Sequence, residues 1–147
     1  MTREDLTGRL ALDTSALIEL VFSTPQGARL RQGLKQGLIE AYTSELSIAE
    51  LRYVLCRKLG LAESGDRVEK LLASGYINVE DLSTLIVDAS RHKCERAISL
   101  ADCFCIALAE KTFSKALFAE REKDLIEEIR RKPFNAEIIF LEDYVHT

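Results

Sequence analysis

The sequence predicts an α/β fold in which a central parallel sheet of four to five strands has helices on both faces. Short apolar runs recur along the chain, and longer segments with helical periodicity separate them. Because a helix between two strands returns the chain to the edge where the first strand began, successive strands run parallel and both faces become covered. Glycines and prolines stand where several of the predicted elements end, which supports the same division.

The predicted strands are short and apolar, and they comprise residues 9–12, 38–42, 76–79, 115–119 and 137–141. The strand at 76–79 has the weakest pattern. Helical spacing of apolar residues predicts helices at residues 14–22, 45–59, 62–74, 82–96, 99–112 and 121–131. One more helix begins with Thr24 as its cap and Pro25 in its first turn, and runs to Gly33 and Gly37.

Length and composition indicate one compact domain, which we expect to span residues 1–147. The chain has 47% apolar and 30% charged residues and only two prolines, as folded proteins do. Neither a secretory signal nor an apolar stretch of about 20 residues is found, so we expect a cytoplasmic protein with no membrane contact. The net charge of −4 argues against broad nonspecific binding of nucleic acid, but it allows a local basic rim or a bound metal ion.

Asp13 stands at the junction between the first predicted strand and the first predicted helix. In open α/β sheets, ligands bind outside the carboxyl ends of the strands, so a carboxylate at this position points into that crevice. The same residue is a good helix N-cap, because its oxygens accept hydrogen bonds from free backbone N–H groups. Capping alone explains Asp13 unless further acids are directed at the same place.

Glu50 is the second candidate, because it interrupts an apolar helix face. Leu46 precedes it by one turn, and Tyr53 and Val54 follow it by one turn. An ionised carboxylate on such a face is costly unless a positive group meets it. The alternative is that Glu50 lies at the edge of the face and pairs with the basic residues 57–58.

Asp102 interrupts the apolar face of a later helix in the same way, with Ile98, Cys105 and Ile106 as neighbours on that face. It also fits a capping box that begins at Ser99. The two interpretations are compatible, because an acid in the first turn of a helix can face inward and support the cap.

A fourth group of acids follows the predicted strand at 115–119, and it consists of Glu120, Glu122 and Asp124. Acids are favourable at the positive end of a helix dipole, so each of these residues also fits an exposed helix start. The sequence alone leaves the choice among them open.

The order of these acids, together with the residues around them, resembles the PIN domain family, in particular the VapC-type toxins of bacteria and archaea. The matching stretches are residues 12–17, 43–51 and 100–109, and the resemblance extends over nearly the whole chain. At the fourth acid the family usually has Thr or Ser, any residue, and then Asp, whereas this chain has Phe118-Ala119-Glu120. Glu120 matches the family acid in its distance from Asp102, and Glu122 matches it in its neighbouring residues. We choose Glu122.

The resemblance implies a three-layer α/β/α fold and a metal-dependent endoribonuclease whose acids bind Mg²⁺ or Mn²⁺. Carboxylate oxygens are ligands that hard divalent ions prefer, and such ions activate water for attack on a phosphodiester. We assign Asp13 and Asp102 as direct metal ligands and Glu50 as a residue that binds the metal or orients the attacking water. We assign Glu122 to a second ion or to a contact through water.

The RNA substrate must also be bound, and the weaker candidates for this role are Ser15, Arg52, Arg91 and Lys93. Each could contact phosphate groups, which would supply affinity without reading the RNA sequence. Charge runs usually belong to solvated helix faces, and a hydroxyl at a helix start is usually a cap. The resemblance further implies a homodimer and a small antitoxin protein as partners.

Two other functions compete with a nuclease. A PIN-like module that binds RNA or a protein without cleaving would explain the altered fourth acidic position. Phosphatases of the haloacid-dehalogenase type also begin with an Asp at the end of the first strand. They need a second Asp two residues later, and this chain has Ser15 at that position.

Overall fold

The computed structural model describes residues 5–144, so residues 1–4 and 145–147 of the predicted domain lie outside the described residues. Its strands are β1 (Gly8–Leu12), β2 (Ile39–Ser44), β3 (Ile77–Glu80), β4 (Lys115–Phe118) and β5 (Ile138–Phe140). They form one sheet in the order β3-β2-β1-β4-β5, and all neighbouring strands are parallel. The predicted parallel sheet is confirmed, and the weakest predicted strand is the edge strand β3.

The described residues also contain α-helices α1 (Thr14–Phe22), α2 (Pro25–Lys35), α3 (Glu45–Leu59), α4 (Leu61–Ala73), α5 (Ile86–Glu95), α6 (Leu100–Thr112) and α7 (Lys123–Arg131). Short 3-10 turns cover Leu82–Thr84 and Leu141–Tyr144. Hydroxyl and carboxyl caps begin several helices as the sequence indicates. For example, Ser44 Oγ accepts from the N–H of Ser47 at the start of α3, at 3.2 Å.

The single helix predicted at 82–96 is wrong, because the structure divides it into a 3-10 turn and α5. Thr84 Oγ1 donates to the carbonyl of Asp81 at 2.9 Å, and the N–H of Leu82 donates to the Glu45 carboxylate at 2.9 Å. These bonds hold the first residues in a separate turn, since side-chain partners compete with helical hydrogen bonding.

The last helix begins at Lys123 instead of the predicted Arg121. Arg121 donates through its guanidinium to Glu142 at 2.9 Å and to Asp143 at 2.6 Å, and its backbone N–H donates to the Glu142 carboxylate at 3.3 Å. The contacts with the C-terminal 3-10 turn therefore keep the residues after β4 in a loop.

The sheet separates two apolar cores. Along β1, Leu10 and Leu12 face one core, which includes residues of α1 to α4, while Ala11 faces the other, which includes residues of α5 to α7. Alternate strand residues point to opposite faces, so β1 must be apolar on both. This arrangement confirms the three-layer α/β/α architecture.

The topology defines a crevice at the carboxyl ends of β1 and β4. The chain runs from β1 to β2 and β3 on one side of β1, and then crosses to β4 and β5 on the other side. Connections therefore leave β1 and β4 in opposite directions, which is where open α/β sheets bind ligands. Among residues 5–144, no helix combines the length and the apolar character that crossing a bilayer requires.

Candidate metal centre

Asp13 lies at this crevice, directly after β1, and is only 6% exposed. It is the N-cap of α1, and its Oδ2 atom accepts from the backbone N–H of Ser15 at 3.1 Å and from Ser15 Oγ at 2.7 Å. The N–H of Asp13 donates to the carbonyl of Leu117 in β4 at 2.9 Å. Asp13 is therefore both a helix cap and a buried acid fixed at the junction of the two central strands.

Ser15 connects the carboxylate of Asp13 with the end of β4. Its hydroxyl donates to Asp13 and accepts from the N–H of Ala119 at 3.0 Å. Ser15 thus holds the carboxylate of Asp13 close to the loop after β4, which carries the candidates for the fourth acid. The predicted contact of Ser15 with a phosphate stays a prediction.

Glu50 lies on α3 at the edge of its buried face, and not on an apolar stripe as predicted. The fully buried residues of α3 are Ser47, Leu51 and Leu55, whereas the predicted neighbour Tyr53 is 50% exposed. The buried face is shifted because Leu51 and Leu55 belong to the apolar core that includes residues of α1 and α4. The Glu50 carboxylate does find a polar partner across the site, which is described below.

Asp102 lies in the first turn of α6 and is 8% exposed, although it is an acid. The predicted apolar neighbours Ile98, Cys105 and Ile106 are all buried, so the prediction that Asp102 interrupts an apolar face is confirmed. Its N–H donates to Ser99 Oγ at 3.1 Å, which is the cap half of the predicted capping box.

The electrostatics show that acids from different elements act on one another. The pKa of Asp102 is raised to about 7. Burial is the largest cause, and the negative charges of Asp13, Glu122 and Glu50 also contribute. Burial also raises the pKa of Asp13, against the hydrogen bonds of Ser15 that lower it. Acids that follow β1 and β4 and acids on α3 and α6 therefore converge on one region.

Among the three candidates for the fourth acid, Glu122 interacts electrostatically with both Asp13 and Asp102. Partial burial and the charge of Asp13 raise the pKa of Glu122, and the charges of Asp124 and Glu120 add to this. Glu122 in turn raises the pKa of Asp102, whereas Glu120 and Asp124 are not among its causes. Glu122 is the N-cap residue of α7, and its exposure places it at the rim.

The basic residues predicted to bind RNA have other partners. Arg52 pairs with Glu69 on α4 at 2.7 Å, and Arg91 pairs with Asp88 on its own helix at 3.4 Å. Lys93 donates to the carbonyl of Ile98 at 2.8 Å. No contact joins these three side chains to the acids in the part of the chain that the structure describes, and their role in substrate binding stays a prediction.

Thr14 is a site residue that the sequence reasoning missed. It is the first residue of α1 and is 7% exposed, and its Oγ1 donates to Glu50 Oε1 at 2.8 Å. The available signal was a hydroxyl residue directly after Asp13, but its partner is 36 residues away in the sequence. Only the packing of α1 against α3 reveals the contact.

The donor set fits a hard divalent cation. Within residues 5–144, no three His, Cys, Asp or Glu side chains are arranged as a complete set of metal ligands. Mg²⁺ does not require such a set, because it usually takes one or two protein carboxylates and completes its shell with water and substrate phosphate. Like charges that raise one another's pKa are also stabilised when a cation binds between them. Asp13 and Asp102, both buried, are the residues that would hold it.

The PIN domain family model matches residues 10–137, which is most of the chain. The protein therefore belongs to the PIN domain family, as its motifs indicate. A search among curated proteins finds no match.

Solved structures share the fold at low sequence identity. VapBC2 from Rickettsia felis, bound to a promoter DNA fragment, has 13% identity and a TM-score of 0.67 over 90% of this chain and 98% of that one. A toxin-antitoxin complex from Klebsiella pneumoniae has 16% identity and a TM-score of 0.62 over 91% and 98%. VapC20 from Mycobacterium tuberculosis, a toxin that cleaves the sarcin-ricin loop, has 19% identity and a TM-score of 0.61 over 82% and 94%.

Proposed function

We propose that this protein is a metal-dependent endoribonuclease that cleaves RNA phosphodiester bonds through Asp13, Glu50, Asp102 and Glu122. The observation that carries the proposal is the convergence of these acids at the switch point of the sheet, where two of them are buried. Clustered acids with raised pKa values are typical of functional sites. Membership in the PIN domain family and the fold shared with a toxin that cleaves RNA support the same reaction.

The position of each acidic side chain suggests its role in the proposed reaction. Asp13, fixed by Ser15, and Asp102, held in the first turn of α6, would provide the carboxylate oxygens that bind Mg²⁺ or Mn²⁺. A bound ion would supply positive charge for the phosphate and for the leaving oxygen. The Glu50 carboxylate would bind the ion or orient the attacking water. Glu122, at the exposed rim, would contact a second ion or act through a water molecule.

The test is cleavage of an RNA substrate by the purified protein with Mn²⁺. We expect the double variant Asp13→Asn/Asp102→Asn to lose activity by about 100-fold or more, because its side chains cannot supply carboxylates to the ion. Glu137→Gln removes an exposed acid just before β5, paired with Lys115, and should cleave as the wild type does. Circular dichroism would establish that both variants are folded.

If the double variant cleaved RNA as fast as the wild type, the proposed nuclease function would be wrong. A second measurement tests the alternative that the protein is a PIN-like binding module without catalytic activity. In this measurement the melting temperature is followed as Mn²⁺ is titrated. An intact site gains stability as the ion binds the native state, whereas a degraded site shows no saturable shift.

We also propose that a small antitoxin protein binds this chain, as in the toxin-antitoxin complexes that share its fold. A groove of about 370 Å³ lies between α1, α2 and α4, away from the acids. Leu20 and Leu34 belong to its apolar floor, and Arg31, Lys35 and Lys70 belong to its basic rim. This combination fits an amphipathic segment that carries acidic residues. The predicted homodimer and cytoplasmic location stay predictions.

Co-expression with the product of the adjoining gene tests the antitoxin. We expect a complex that Lys35→Glu/Lys70→Glu weakens by about tenfold or more, because the variant reverses the charge of the rim. Arg52→Glu reverses a charge on α3 outside the groove and serves as the control. An unchanged affinity of the double variant would place the antitoxin elsewhere.

A further inference from the structure

Thr14 forms a polar contact between the first two acid-bearing elements. The residue follows Asp13 directly, and its hydroxyl donates to Glu50 Oε1 at 2.8 Å from a side chain that is almost completely buried. Asp13 belongs to the junction of β1 and α1, whereas Glu50 lies in the middle of α3. The Thr14 hydroxyl therefore ties the Glu50 carboxylate to the residue that directly follows Asp13.

The hydroxyl of Thr14 is not needed to cap α1. A hydroxyl at a helix start commonly accepts from a free backbone N–H, but Asp13 already performs this role for Ser15. Instead, Thr14 donates to a carboxylate, which is a stronger hydrogen bond than one between neutral groups. The β-branched side chain also has few rotamers, so the direction of the O–H group is well defined.

Glu50 needs such a partner more than the other acids do. Its side chain has several rotatable bonds and is only partly buried, whereas Asp13 is fixed by the hydrogen bonds of Ser15. A carboxylate that is free to rotate must be ordered when it takes up a role at the site, and this ordering weakens binding. A bond already present in the free protein removes that cost.

We propose that Thr14 is a positioning residue that holds the Glu50 carboxylate toward the site shared with Asp13 and Asp102. This inference rests on the proposed metal-dependent function, and it goes beyond it by assigning a role to a residue outside the acidic set. Thr14 acts through Glu50 and does not contact the reacting atoms itself. The hydroxyl, and not the shape of the side chain, is the feature that matters.

The experiment compares Thr14→Val with Thr14→Ser in the complete protein. Mn²⁺ dissociation constants are measured from the electron paramagnetic resonance signal of the free ion, and melting temperatures are measured without metal. We expect Thr14→Val, which keeps the shape, to weaken Mn²⁺ binding about tenfold, or 1.4 kcal/mol. Thr14→Ser, which keeps the hydroxyl, should restore binding to within about threefold of the wild type.

A double-variant cycle separates positioning from a general structural effect. In a Glu50→Ala background, Thr14→Val should cause no further loss of Mn²⁺ affinity, because the carboxylate that Thr14 holds is already gone. If Thr14→Val lost the same Mn²⁺ affinity with and without the Glu50 substitution, or kept wild-type affinity, the positioning role of Thr14 would be wrong. The proposed nuclease function would not be affected by either result. A wild-type protein with no saturable Mn²⁺ binding would overturn the metal site, and the positioning role with it.

Discussion

The protein buries charged side chains in two regions, which differ in the sign of the charges that surround each buried acid. At the carboxyl ends of β1 and β4, acids lie near other acids, and the pKa of Asp102 rises to about 7 through burial and the charges of Asp13, Glu122 and Glu50. Between α5 and α7, the acid Glu128 lies near Arg96 and Arg131. There the hydrogen bond from Arg131 lowers the pKa of Glu128.

The second region is a satisfied network. Arg131 donates to Glu128 Oε1 at 2.6 Å, and Arg96 Nη1 lies 3.6 Å from the same oxygen. Arg96 also donates to the backbone carbonyls of Glu128 and Lys132 at the end of α7, and its guanidinium lies 3.8 Å from the ring centre of Phe134. Each buried charge therefore has a partner of opposite sign or a polar backbone group.

The difference indicates which region serves stability and which serves function. Buried charges that only support the fold are paired, because an unpaired charge in the interior is costly. Burial and neighbouring negative charges make the ionised form of Asp102 unfavourable in the folded protein, so this residue is retained for a reason other than stability. Substitutions in the two regions should consequently have opposite effects on the free energy of unfolding.

The largest effect is expected in the paired region. Arg96→Ala removes one of the two cations beside Glu128 and leaves two carbonyls at the end of α7 without their buried donor. We therefore expect a loss of about 3–5 kcal/mol in unfolding free energy. Urea denaturation measures it. Arg52→Ala breaks an exposed ion pair and should change stability by less than about 1 kcal/mol. Similar losses in the two variants would mean that the Arg96 network contributes no more than a surface pair.

An effect of the opposite sign is expected at the crevice. The folded protein keeps the Asp102 proton up to about pH 7, whereas the unfolded chain releases it near about pH 4, so the wild type loses stability as the pH rises between these values. Without metal, Asp102→Asn should therefore increase the unfolding free energy by about 2 kcal/mol at pH 8. The gain should disappear toward pH 4.

Glu128→Gln is the matched control for this titration. Because the folded-state pKa of Glu128 is lowered, its carboxylate contributes stability above the unfolded-state pKa, and that contribution is lost as the pH falls. This variant should be less stable than the wild type at neutral pH. Destabilisation by both substitutions, Asp102→Asn and Glu128→Gln, would remove the contrast between the two regions.

The smallest effect concerns the rim of the acidic region. Because the charge of Glu122 raises the pKa of Asp102, we expect Glu122→Gln to weaken Mn²⁺ binding about tenfold. Glu120→Gln and Asp124→Asn should each change the Mn²⁺ affinity by less than about threefold, because neither charge is among the main causes of the raised Asp102 pKa. Isothermal titration calorimetry ranks the three variants. A larger loss for Glu120→Gln would assign the fourth position to the residue directly after β4.

The sequence by itself determined the strand-helix alternation, the parallel sheet and the candidate acids Asp13 and Asp102. These follow from local chemistry, since apolar spacing and cap residues act over a few neighbours in the chain. The surroundings of Glu50 were predicted less well. Helical spacing alone could not show that α3 would expose Tyr53 and bury Leu51, because the neighbouring helices decide which face is covered.

Only the tertiary structure decided which polar groups meet across the site. The bond between Thr14 and Glu50, the link from Ser15 to Ala119, and the effect of Glu122 on Asp102 all join residues that are distant in the chain. Burial and charge interactions depend on distance in space, which the order of residues does not contain. The sequence therefore identified the acids as a set, and the fold determined how each one is held and which others it faces.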